Sequence, residues 1–112
     1  ILKNIVEFWA NEYDFVKSET YLNQFPHFVT NVQGLDIHFI RVKPKVSNEN
    51  IKVLPLLRLH GWPGSVREFY KLIPLLTTPK KDSDFVFEVI VPSLPVFGFS
   101  QVNFQQIFVF VK

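Results

Sequence analysis

Between residues 2 and 16, Leu2, Ile5, Val6, Trp9, Tyr13 and Val16 recur at helical spacing, while Lys3, Glu7, Asn11 and Asp14 fall largely elsewhere. That pattern predicts an amphipathic helix. Ser18 is placed to cap a second, short helix, Glu19–Gln24, which must stop before Pro26. The period then changes. His27–Val32 and Leu35–Val42 flank Gln33-Gly34, and Leu35, Ile37, Phe39 and Arg41 alternate with Asp36, His38, Ile40 and Val42. This predicts an antiparallel hairpin, with Gly34 free to take positive φ. Pro44 to Lys52 is a polar connection, and Val53–Leu59 is a strand-sized apolar run interrupted by Pro55 and Arg58. Ser65 and Glu68 stand three apart, as a capping box requires, ahead of a face formed by Val66, Phe69, Tyr70 and Ile73. Pro74 must kink or shorten that helix. Thr77 to Asp84 reads as a loop, and Phe85–Val91 as another buried strand that runs into "VPSLPVFGFS".

The predicted order is helix, hairpin, strand, helix, strand. Strand–helix–strand with short connections implies a parallel pair with a crossover helix, an α/β arrangement. Ligand sites in such sheets lie at the carboxyl ends of the strands. "LHGWPGS", residues 59 to 65, sits at one such end and "PSLPVFGFS" at the next. Three readings of the first are open. It lacks Gly-Lys-Ser/Thr and does not match the spacing of G-x-G-x-x-G, which counts against phosphate binding. It can be a turn whose glycines and proline serve conformation alone. It can also aim backbone N–H groups at an oxygen that gains negative charge during a reaction. On that third reading Gly61 spares the turn a crowding side chain, and Pro63 follows Trp62 through a cis peptide bond. The helix capped by Ser65 adds the positive end of its dipole.

Composition narrows the picture. One small domain of 112 residues is 47% hydrophobic and 16% aromatic, with 13 phenylalanines, enough apolar matter for a core. Twelve basic against 10 acidic residues leave a net charge of +2, so no strong field points to nucleic acid or to an anionic membrane. Lys80-Lys81 reads as a solvated loop. The absence of cysteine removes disulfides, thiol nucleophiles and cysteine metal sites, and no metal site or cofactor is expected. No apolar run has the length of a membrane span, and no basic-then-apolar leader opens the chain. The chain starts at Ile1, inside a predicted helix, and contains no methionine. The expectation is a fragment of a longer protein, whose membrane anchor or address would lie in a segment absent here.

Three blocks, "YLNQFPHFVTNVQGLDIHFIRVKP", "LHGWPGSVREFYKLIPLLT" and "FEVIVPSLPVFGFS", together resemble the N-terminal part of microsomal-type epoxide hydrolases, and within them the insect juvenile hormone epoxide hydrolases. The blocks keep the family's order and spacing over roughly residues 7 to 100. The resemblance implies the N-terminal portion of an α/β-hydrolase fold: a helical lead-in over 1–26, the first part of the hydrolase core over 27–100, and a divergent tail over 101–112. It also implies trans-addition of water to a small lipophilic epoxide, either juvenile hormone or a xenobiotic. In such enzymes an aspartate attacks the epoxide carbon while two tyrosines donate to the epoxide oxygen. A histidine with a carboxylate partner then activates water against the ester. The oxyanion-hole turn carries over to His60, Gly61, Trp62 and Pro63, with the Trp62 N–H as donor. An endoplasmic reticulum location goes with the resemblance.

The nucleophile, acid, base and lid tyrosines of that family follow later in its sequence than "GFS", so no catalytic residue is assigned here, and the chain by itself is expected to be inactive. His27 and His38 read as packing or surface residues and His60 as the turn's structural histidine. Asp36, Asp82, Asp84 and Glu88 read as loop or face charges, and Tyr70 as core. Ser100 lacks the G-x-S-x-G frame of a serine elbow. Arg58 stands in a strand where the family has an apolar residue, so it must find a carboxylate or solvent. Val96 replaces a glycine, which strains the backbone if the site needs positive φ. "QVNFQQIFVFVK" departs from the family, and Ile107–Val111 has the composition of an aggregating segment. Two alternatives stay beside the epoxide hydrolase reading. One is a truncated, non-catalytic interaction module; the other is a different α/β-hydrolase, such as an esterase.

Overall fold

A computed structural model describes residues 1–47 and 50–102. The tail segment Ile107–Val111 lies outside the described residues. The hairpin forms as the alternation predicts. Strands β1 (His27–Val32) and β2 (Leu35–Val42) pair antiparallel, with Val32 opposite Leu35 and His27 opposite Ile40. Gln33 and Gly34 both take positive φ, 51° and 86°. Two left-handed residues in a two-residue loop make the type I′ turn, whose twist matches that of the strands.

Strand β3 (Lys52–Leu57) and strand β4 (Phe85–Pro92) pair parallel, with Lys52 opposite Phe85 and Leu57 opposite Ile90. β4 also pairs antiparallel with β2, so the sheet order is β1-β2-β4-β3. The predicted crossover lies between the parallel strands, but it is not one helix. Val66–Phe69 is a 3₁₀ turn, and the α-helix starts only at Ile73 and ends at Thr77. Pro74 gives the reason. It has no N–H to bond the Tyr70 carbonyl and its ring crowds that oxygen, so it is tolerated in the first turn of a helix and not in its interior.

The lead-in also differs from expectation. The predicted helix over 2–16 ends at Asn11 as α1 (Leu2–Asn11), and α2 runs over Phe15–Leu22. Asp14 is the cap in place of Ser18: its carboxylate accepts from the Lys17 N–H at 2.8 Å, which starts a new helix and breaks the old one. Ser18 instead lies inside α2, bonded to the Tyr13 hydroxyl at 2.6 Å. Phe8, Tyr13 and Phe15 stack edge to face at the corner. The helix over Ile73–Thr77 is α3.

Alternation along β2 and β4 separates the two faces of the sheet. Ile40 and Val42 stand opposite Val91 and Val89 and meet Val66, Phe69, Tyr70 and Ile73 in one buried cluster, which Leu22 and Phe25 flank. On the other face Leu35, Ile37, Phe39, Leu57, Ile90 and Pro92 line an open cleft of about 770 Å³. Both faces of a sheet with parallel pairs are normally covered, and among the described residues helices cover one.

Val96 has φ 76°, so a β-branched residue holds a backbone conformation that favours glycine. The left-handed region costs such a residue about 1–2 kcal/mol, whereas glycine adopts it freely at some cost in chain entropy. The Val96→Gly variant is therefore expected to be more stable by about 1 kcal/mol, seen as a higher urea midpoint with unchanged slope.

Candidate active site

The turn after β3 is held by one ring. His60 is 4% exposed. Its Nε2 accepts the Leu94 N–H at 3.1 Å, and its Nδ1 lies 3.1 Å from the Gly61 carbonyl. Because one nitrogen faces a donor and the other an acceptor, the ring is neutral with its proton on Nδ1. The edge of Phe97 packs against it, 5.3 Å between centroids. His60 thus ties the loop after β3 to the loop after β4, both at carboxyl ends of parallel strands. The Trp62–Pro63 peptide is cis, as expected from the residues of the turn. Trp62 is 84% exposed, and its N–H has no hydrogen-bond partner among the described residues.

The glycine that this turn cannot lose is not the expected one. A Cβ on Gly61 would meet nothing within 4 Å, so Gly61 is not there to relieve crowding. Gly64 is: its Cβ would fall 1.7 Å from Glu68 Oε1 and 2.8 Å from the Gly61 carbonyl oxygen. Glu68 is close because the capping box forms as predicted. Its Oε1 accepts the Ser65 N–H at 3.1 Å while the Ser65 hydroxyl accepts the Arg67 N–H at 3.3 Å. Arg58, next to the turn, is exposed and lies over the Phe69 ring, 5.2 Å from its centroid. That satisfies it without a carboxylate.

The other two histidines are brought together in a way their separation in sequence conceals. His38 Nε2 lies 2.8 Å from His27 Nδ1, and His27 Nε2 lies 2.8 Å from the Leu22 carbonyl oxygen. A carbonyl only accepts, so His27 carries its proton on Nε2 and accepts at Nδ1. His38 must then donate from Nε2 and accept at Nδ1, which Ser93 Oγ reaches at 2.9 Å. Tyr70 Oη donates to the same Leu22 oxygen at 2.7 Å. Ser100 Oγ donates to the Ser93 carbonyl at 2.7 Å and accepts the His38 N–H at 2.9 Å. Ser100 is therefore a buried strut, as the missing elbow frame implies. Gly98, at φ 54°, leaves room for Ser93 Oγ, which an added Cβ would meet at 2.9 Å. Burial pushes the His38 pKa below the ordinary 6.5, and His27 beside it pushes the same way. Burial raises the Tyr70 pKa, and Tyr21 adds to this while Arg67 opposes it.

The remaining candidates stay structural. Asp36 accepts from Asn31 Nδ2 at 2.9 Å, and Glu88 pairs with Arg41 at 2.6 Å. No metal-binding cluster occurs among the described residues. The apolar cleft is lined by Leu94, Pro95 and Val96 at one end but by none of His60, Gly61, Trp62 or Pro63. Among the described residues it is an uncovered face of the sheet.

Comparison with known proteins decides the family. The family described as "Epoxide hydrolase N terminus" matches residues 1–69. The chain belongs to the epoxide hydrolase family. Juvenile hormone epoxide hydrolase 2 of Ctenocephalides felis is 58% identical over 100 residues, 89% of this chain and 21% of that protein. Epoxide hydrolase 1 of Oryctolagus cuniculus is 51% identical over 105 residues, 91% of this chain and 23% of that one. The crystal structure of juvenile hormone epoxide hydrolase from Bombyx mori superposes with a TM-score of 0.83 at 55% identity, covering 89% of this chain and 26% of the other. That of the Aspergillus niger epoxide hydrolase gives 0.66 at 36%. The chain thus spans about a fifth to a quarter of the length of these relatives, and its fold is the N-terminal portion of an α/β-hydrolase.

Two outcomes test the site's construction. Gly64→Ala is expected to displace Glu68, break the capping box and cost about 1–2 kcal/mol, while Gly61→Ala stays within about 0.5 kcal/mol of the parent; chemical denaturation of both separates them. The lowered His38 pKa gives the second. Above about pH 6.5 neither the folded nor the unfolded ring is charged; below it the unfolded ring binds a proton first, so the stability is lost as pH falls toward the folded value. The urea midpoint should be level above about pH 7 and decline below about pH 6.5, and His38→Gln should flatten the decline.

Proposed function

We propose that this chain acts as the first part of an epoxide hydrolase that adds water to a lipophilic epoxide, juvenile hormone being one candidate, with the Trp62 N–H as an oxyanion-hole donor. The aspartyl-ester chemistry of this reading needs a nucleophile and a water-activating base beyond those found among the described residues. This chain's share is the scaffold and the turn. When water attacks the ester, negative charge collects on the former carbonyl oxygen. A fixed N–H 2.7–3.1 Å from that oxygen stabilises it. Support for the assignment rests on one observation: among the described residues the Trp62 N–H has no partner, in a turn that the His60 ring ties to the next strand-end loop. An unpaired N–H held in place is a donor already paid for in ordering. The apolar face of the sheet that is uncovered among the described residues fits the same reading, as the surface on which the further helices of a complete α/β-hydrolase pack.

An endoplasmic reticulum location accompanies this reading through the family resemblance. Among the described residues no helix is long and apolar enough to cross a membrane.

The test is a chimera in which residues 1–100 replace their counterpart in the silkworm enzyme, made by ligation so that the amide of residue 62 can be exchanged for an ester. The chimera should convert an epoxide to its diol, and the ester form, which lacks only that N–H, should lose about 10²-fold or more in kcat. Equal kcat for ester and amide forms refutes the donor role, and the 112-residue chain assayed alone should form no diol above the buffer rate.

A further inference from the structure

The ladder between β2 and β4 ends on an inserted hydroxyl. His38 and Ser93 are the pair that follows Phe39 and Pro92 in register. In a regular antiparallel ladder such a pair exchanges two backbone bonds. The Ser93 N–H does bond the His38 carbonyl at 2.9 Å. In place of the return bond, Ser100 Oγ accepts the His38 N–H at 2.9 Å and donates to the Ser93 carbonyl at 2.7 Å. That carbonyl and the Leu94 N–H are the two ends of one trans peptide plane. The Leu94 N–H reaches His60 Nε2 at 3.1 Å, and His60 Nδ1 donates to the Gly61 carbonyl at 3.1 Å. Gly61 and Trp62 share the next plane, also trans. A trans plane holds its C=O and N–H antiparallel, so with the Gly61 oxygen turned to the buried ring, the Trp62 N–H is turned away from it.

We propose that Ser100 is a positioning residue for the Trp62 N–H, which it aims and polarises through the Ser93–Leu94 peptide, the His60 ring and the Gly61–Trp62 peptide. The proposal rests on the reading of that N–H as an oxyanion-hole donor. Every link in the row has one direction. A backbone N–H only donates and a carbonyl only accepts, and one of each stands on either side of both the hydroxyl and the ring. The row therefore cannot reverse, and each bond in it strengthens the next. It ends on the Trp62 N–H, which has no partner among the described residues. The hydroxyl also sets an angle. By standing between His38 and Ser93 it keeps the Ser93 carbonyl off the β2 amide, and this fixes the tilt of the plane whose far end is the Leu94 N–H. Without the hydroxyl, the Ser93 carbonyl is free to close directly on the His38 N–H. The ladder gains its missing bond, the plane turns, and the Leu94 N–H leaves His60.

Two measurements test it. In the 112-residue chain, ring ¹⁵N spectra and residue-resolved amide exchange read the row itself. His60 must carry its proton on Nδ1. Ser100→Ala should speed exchange at Leu94 by about tenfold, while the His38 amide stays protected by its direct bond to Ser93. A ring protonated on Nε2, or a Leu94 amide that the substitution leaves unchanged, overturns the proposal. The second measurement uses the silkworm chimera, in which the parent and Ser100→Ala are each made with an amide or an ester at residue 62. Ser100→Ala should lower kcat about tenfold in the amide form with KM held within about twofold. In the ester form it should lower kcat no further, because no N–H is left to aim. An equal loss in both forms means that Ser100 acts elsewhere and overturns the proposal, as does an unchanged kcat in the amide form. Equal kcat for the two parent forms refutes the oxyanion-hole reading and the catalytic role of Ser100 with it, while the exchange data still decide whether Ser100 holds the turn. Should Ser100→Ala fail to fold, an ester at residue 94, which deletes the N–H bonded to His60, replaces it in the chimera with the same expected and overturning results.

Discussion

The bond from the Leu94 N–H to His60 Nε2 is the constraint around which the loops at the carboxyl ends of the parallel strands are arranged. Two parallel strands deliver two loops to the same edge of the sheet, and nothing in a parallel ladder fixes how those loops lie. A buried neutral imidazole with one donor and one acceptor nitrogen can fix both at once. It holds the second loop through Leu94 and its own turn through Gly61. Capping box, glycine and cis proline then shape a turn whose position is already set. Gly64 and Glu68 belong to this set as much as the four residues of the turn, because the carboxylate occupies the space a side chain at 64 would take.

The same logic repeats on the other side of the loop. Ser93, fully buried, is hydrogen-bonded through its hydroxyl to His38 Nδ1, and Ser100 folds back to satisfy the Ser93 carbonyl and the His38 amide. Gly98 is small enough to let this happen. The segment reads as a loose, proline-rich loop in composition, yet its polar groups are bonded inward. A buried polar network of this kind is stable only when every member is satisfied, and no buried side-chain nitrogen or oxygen among the described residues lacks a partner.

The family assignment and the physical reading inform each other unequally. The N-terminal family match and the superposition on the silkworm enzyme establish ancestry and fold. They leave open what each residue does, and the structure supplies that for the framework: Arg58 takes an aromatic partner and Val96 keeps a backbone conformation that suits glycine. Both features are absorbed locally, and the sheet registers around them are regular.

Local chemistry determined much by itself. Alternation over Leu35–Val42, the Gln33-Gly34 turn, the capping box at Ser65 and Glu68, and the parallel strand–crossover–strand unit all follow from periodicity and spacing, because each depends on residues close in the chain. The motif around His60 was legible for the same reason. Helix boundaries were less so: Asp14 outcompeted Ser18 as a cap, and Pro74 divided the crossover into a 3₁₀ turn and a short helix, since caps and breakers compete over single hydrogen bonds. The role of glycine at 64 in place of 61, and the pairing of His27 with His38, were decided only by the fold. The first depends on where a side chain four residues on comes to rest. The second depends on β-strand register and on a loop 55 residues away from His38, and no local pattern of hydrophobic and polar residues carries that distance.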